Sequence, residues 1–130
     1  ALGESLMFAS ELLHNDKAAI LGRAVDAATQ NILTHDKSPR RGVGETDTRD
    51  SHFYFALYWA QAVAAQADDA EMAATFAAMA TEIELHESQI VDELASTQGQ
   101  PCDLGGYYRP NVDLVAKIMR PSATFNRIIG

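Results

Sequence analysis

The chain has 130 residues, a formal net charge of −8 and an apolar fraction of 47%. That length holds one ordinary core at most, the apolar fraction is that of a globular domain rather than a disordered tail, and the acidic balance argues against nucleic acid or an anionic membrane as main partner. No apolar run approaches the ~20 residues that span a bilayer, nothing reads as a signal peptide, and one cysteine, Cys102, precludes an internal disulfide and fits a cytoplasmic setting.

In chain order, Leu2, Leu6, Phe8, Ala9, Leu12 and Leu13 recur at three- and four-residue steps, which predicts a helix over about 3–14. It starts with no good cap and the chain opens on Ala1 rather than methionine, so an excised or trimmed piece is expected, a processed natural terminus being the alternative. Asn15-Asp16 breaks the pattern, with Asp16 as the predicted N-cap of a helix over 17–35 that puts Ile20, Leu21, Ala24, Ala28, Ile32 and Leu33 on one face. Residues 36–48 carry no periodicity, and Pro39, Gly42 and Gly44 mark an irregular loop.

Thr48 or Ser51 is the predicted cap of a third helix, ending near Gln66, that carries Phe53, Tyr54, Phe55, Leu57, Tyr58 and Trp59. Apolar nearly all round, it is expected to lie buried between neighbours. Asp68 or Asp69 caps a fourth and longest helix, to about Ala95, whose seam of Met72, Phe76, Met79, Ile83, His86 and Ile90 alternates steps of four and three. A second loop, Gln98 to Pro110, can form a short extended stretch at 101–108 and has Cys102 as a small apolar filler. Asn111 caps a short helix to about Met119, Pro121 ends it, and Ser122 caps a last turn through Ile129. The whole reads as one all-α domain over 1–130: an antiparallel bundle of four main helices plus short C-terminal helices.

Charge is unevenly placed. From Ser51 to Tyr108 there are nine carboxylates and no lysine or arginine, whereas Lys37, Arg40 and Arg41 crowd the first loop, with Arg49 just beyond. Gly42 and Gly44 let backbone approach a ligand there, arginine forks bind phosphate in a bidentate way, and the next helix offers an N-terminus. These features suggest an anion site. The competing reading is a solvated basic loop balanced by Asp36, Glu45, Asp47 and Asp50. A carboxylate metal site has less support: Glu11 and His14 form one ExxH pair, but Glu82 and His86 stand four apart and break the di-iron pattern. His14 reads as a helix C-terminal residue and His86 as a core-edge histidine with a satisfied hydrogen bond. No catalytic or metal-ligating residue is assigned, since HExxH, CxxC, GxSxG and GxGxxG are all absent.

Three blocks carry a resemblance. SPRRGVGETDTRDSHFYFALYWAQ (38–61) resembles a segment of the monomeric-type NADP-dependent isocitrate dehydrogenases, and PCDLGGYYRPN (101–111) and MRPSATFN (119–126) resemble that family's closing segments, in its order and spacing. The resemblance implies the C-terminal helical segment of a much longer enzyme that oxidises and decarboxylates isocitrate to 2-oxoglutarate, a tricarboxylic acid cycle step, with NADP and Mg²⁺ or Mn²⁺. It implies that the metal carboxylates and catalytic groups lie elsewhere in that enzyme. It assigns to the present segment a wall of the cofactor cleft, with Arg41 or Arg49 on the NADP 2′-phosphate and Arg40 and Lys37 beside them. The family tends to read DNRGSHF where this chain reads DTRDSHF, so Asp50 sets a carboxylate next to Arg49, a repulsion of about 1 kcal/mol toward a phosphate there. Valine is typical where Cys102 stands.

Two partners follow as expectations. Within a full enzyme, the remainder would cover the apolar faces of the first and third helices. A short stand-alone homologue would cover them by self-association, as a homodimer or higher oligomer acting as a non-catalytic interaction module.

Overall fold

A computed structural model describes all 130 residues. It is all helical: α1 (Leu2–Leu13), α2 (Asp16–Thr34), α3 (Thr48–Ala65), α4 (Ala70–Leu85), α5 (Glu87–Ala95), α6 (Val112–Met119) and α7 (Ala123–Ile129). The expected bundle is there, with consecutive helices α1 to α4 packed side by side and α7 lying on α4 and α5.

Local chemistry sets the ends. His14 turns into the left-handed region (φ 51°) to stop α1, and the Asn15 side chain then accepts from Ala18 N to start α2. The cap is thus Asn15, one residue before the expected Asp16. α3 is capped by neither Thr48 nor Ser51. Asp47 accepts from the N–H groups of Arg49 and Asp50, while the Asp50 carboxylate accepts from Asp47 N, a reciprocal capping box. Asp69 caps α4, Asn111 caps α6 and Ser122 caps α7.

The expected fourth helix is two. His86 (φ −107°, ψ 12°) interrupts it, its N–H turning back to Ile83 O in a tighter turn and its carbonyl accepting from Ile90 N to begin α5. Its ring Nδ1 lies 3.0 Å from Glu82 O, so it is half-buried and satisfied, as expected. No strand forms at 101–108, and Cys102 is exposed rather than a filler.

The main core joins Ala28 and Ile32 of α2, Phe53, Tyr54, Leu57 and Tyr58 of α3, and Ile83, Ile90 and Leu94 of α4 and α5. α3 therefore lies buried between neighbours within this chain, as its apolar circumference predicts. α1 presents a bare apolar face: Gly3 meets α2, while Phe8 (65%), Leu12 (65%) and Leu13 (68%) face solvent. Close approach of α1 to α2 depends on Gly22, where a Cβ would stand 3.2 Å from Gly3 O and 3.0 Å from Met7 Sδ. No helix is long and apolar enough to cross a membrane.

Candidate functional site

The α2–α3 loop, the start of α3 and the segment after α5 enclose a depression of about 510 Å³. Arg40, Arg41 and Arg49 line it, with Asp47, Thr97, Gln98 and Cys102. Three of the four basic residues singled out in the sequence thus converge. Lys37 stands apart, its ammonium 4.1 Å over the ring of Tyr54 in a cation–π contact.

Gln98 pins the loop. Its amide donates to Glu45 O at 3.0 Å and Asp47 Oδ2 at 3.2 Å, and its carbonyl accepts from Gly44 N at 2.8 Å. Glu45 accepts from Gly42 N at 2.8 Å, and Gly44 takes φ +82°, where a side chain would be strained. Nothing in sequence points to Gln98, because it acts across more than fifty residues.

The three arginines differ in freedom. Arg40 is half-exposed and paired with Asp36. Arg41 is exposed and has no ion pair or hydrogen bond. Arg49 is largely buried and heavily committed: Nε and Nη2 donate to Asp47 Oδ2 at 3.0 and 2.5 Å, and Nη1 donates to Ile118 O at 2.9 Å and to Thr97 Oγ1. A guanidinium has five N–H donors, so one on Nη2 remains. The α3 N-terminus, read from sequence as open to an anion, is already filled by the Asp47 carboxylate.

Burial alone would raise the Asp47 pKa. The Arg49 hydrogen bond, the N–H groups of Asp50 and Arg49 and the Arg49 charge outweigh it and hold the carboxyl below its ordinary value. Burial pushes Asp50 up, as does the Asp47 charge, against the Asp47 N–H and the Arg49 and Lys37 charges. Asp50 is 5% exposed and its Oδ1 has no partner. Instead of facing a ligand beside Arg49, as expected, it is turned into the capping box.

The donor set suits a phosphate incompletely. A free arginine, a fixed guanidinium N–H and an arginine in an exposed, easily exchanged pair surround the depression, while Asp47 sits on its wall as a repulsive charge. Elsewhere, Glu11 and His14 are exposed, Glu82 pairs with Arg127 at 2.7 Å, and no group of three or more His, Cys, Asp or Glu side chains is placed to hold a metal ion.

Comparison with known proteins matches residues 1–130 to the family model described as monomeric isocitrate dehydrogenase. An NADP isocitrate dehydrogenase of Azotobacter vinelandii is 52% identical over 100% of this chain and 18% of its own length. A second, of Mycobacterium tuberculosis, is 50% identical over 86% of this chain and 15% of its own. One of Colwellia maris is 48% identical over 100% and 18%. The chain therefore spans about 18% of the length of relatives that match it throughout.

Proposed function

Since the chain belongs to the monomeric isocitrate dehydrogenase family, we propose that it serves as the NADP 2′-phosphate side of the cofactor cleft in a longer NADP-dependent enzyme and is not catalytic by itself. The observation that carries this reading is the convergence of Arg40, Arg41 and Arg49 on one depression, beside a stretch from Ser51 to Tyr108 without lysine or arginine. Following the resemblance of its last two blocks, we take the piece as the enzyme's C-terminal segment.

In this reading Arg49, locked by Asp47, Thr97 and Ile118, presents its remaining Nη2 hydrogen in a fixed direction at no further ordering cost. Arg41 closes from solvent, and Arg40 exchanges Asp36 for the phosphate. Lys37, spent on Tyr54, contributes only at a distance. NADP held by these residues would supply the hydride acceptor for the oxidation, and the arginines would bind and orient only its 2′-phosphate end. The Mg²⁺ or Mn²⁺ and the groups that decarboxylate the substrate belong to the remainder of the enzyme.

Calorimetric titration of NADP, NAD and 2′-phospho-AMP into the longest polypeptide encoded with this sequence tests the proposal. Arg41→Ala is expected to weaken NADP and 2′-phospho-AMP about tenfold and leave NAD unchanged. Arg49→Lys keeps the charge but loses the fork, and is expected to act in the same direction. NADP affinity unchanged in both variants, or equal for NAD and NADP in the parent, sinks the reading.

A second reading keeps one supporting observation, the bare outer face of α1: a short, stand-alone homologue that self-associates through that face. A reading frame of several hundred codons around this sequence removes it.

A further inference from the structure

The chain exposes 8427 Å². A folded monomer of 14.1 kDa is expected to expose roughly 6,700 Å². The excess, about 1,700 Å², is twice the ~800 Å² that each partner contributes to an ordinary specific interface.

Much of the bare surface belongs to a single segment. Every residue from 99 to 113 is exposed, and α6 has no buried residue. Tyr107 and Tyr108 are 91% and 92% exposed, and Val112 80%. Yet this arm is ordered by its own bonds. Gly105 N donates to Asp103 Oδ1 at 2.8 Å, Asn111 N donates to Leu104 O at 2.7 Å, and Asn111 caps α6. Gly105 (φ +74°) would clash at 2.9 Å with Asn111 Cβ if it bore a side chain. At its far end Arg49 holds the Ile118 carbonyl. An arm shaped in advance that presents two solvent-facing tyrosines has the composition of an interface centre rather than of a solvated loop.

A second bare patch, Phe8, Leu12 and Leu13, lies on α1, which packs against α2. A partner that covers the bare surface has to reach both patches.

We propose that residues 99–120 and the outer face of α1 form a two-point docking surface for the remainder of a longer polypeptide, the tyrosine pair seating in that remainder. This rests on the reading of the chain as a segment of a longer enzyme. The length of chain left over supports the occupant: relatives matched along this whole chain devote only 18% of their own length to it.

The test is tyrosine modification with tetranitromethane, read by peptide mass mapping without nucleotide, on the 130-residue chain and on the longest polypeptide encoded with it. Tyr107 and Tyr108 are expected to react about tenfold or more slowly in the longer polypeptide. A Tyr107→Ser, Tyr108→Ser double variant is expected to lower the Tm of the longer polypeptide while leaving that of the 130-residue chain unchanged. Equal reactivity in both overturns the proposal. So does a reading frame that encodes these 130 residues and no more, or light scattering that shows a stable dimer of the short chain with both tyrosines protected. Because no readout involves nucleotide, failure of the 2′-phosphate assignment leaves this result intact, and the reverse holds too.

Discussion

At Glu93 four donors converge: Ser122 Oγ at 2.6 Å, Thr124 Oγ1 at 2.7 Å, Gln89 Nε2 at 3.0 Å and Thr124 N at 3.1 Å. The Ser122 hydrogen bond leads in bringing its pKa from 4.5 to about 2, with help from Thr124 and Gln89 and against burial. A depressed acid contributes stability above its unfolded pKa and loses it as pH falls through the folded one. The charge-dependent part of the hold on α7 is therefore present above pH 4.5 and is lost as pH falls toward and through about 2. Glu93→Gln keeps one acceptor oxygen and is expected to cost about 1–2 kcal/mol in urea denaturation at pH 7; an unchanged midpoint rejects the clamp. Asp50 has the opposite sign. Its raised pKa means that ionisation opposes folding, so Asp50→Asn is expected to leave stability at pH 7 equal or higher, with the advantage vanishing as pH falls through the carboxylate range. A loss above about 1 kcal/mol at pH 7 would show that the charge is needed. The basic residues of the site are legible as a cluster, because arginine beside glycine stands out in an acidic chain. Their commitments are not. That Arg49 spends four donors inside the protein depends on Thr97 and Ile118, distant in sequence and without a signature.

At the scale of elements, helices are visible in the sequence and their ends less so. Asn111, Asp69 and Ser122 are legible as caps because each precedes an apolar run, and the structure has them there. Asp47 is hidden because Thr48 and Ser51 compete with it and its box partner is Asp50 rather than the usual Glu or Gln. The break at His86 is hidden by the seam itself. Ile83 and Ile90 are seven residues apart, close to two turns, so the apolar stripe stays in phase across the interruption. The α1–α2 pairing gives an element-scale prediction. Gly22→Val would drive a branched side chain into Met7 and the Gly3 carbonyl, and is expected to lift α1 and cost about 1–3 kcal/mol. Hydrogen exchange should then rise across Leu2–Leu13 while α3 and α5 keep their protection; uniform loss would mean that α1 is integral to the core.

At the scale of the whole molecule, the all-α class follows from periodicity alone, but the extent of bare surface does not, because hydropathy reports which residues are apolar and not whether this chain supplies their cover. The aromatic α3 and the apolar α1 look alike in that respect, and only packing separates them. The molecule also contains an optical probe placed by its fold. Its single tryptophan, Trp59, is half-buried on α3 and donates Nε1–H to Leu21 O of α2 at 3.1 Å. Its emission therefore reports the parting of α2 from α3: denaturant should shift it to the red in one step with helix loss, whereas a phosphate settling among the arginines should leave its wavelength where it was.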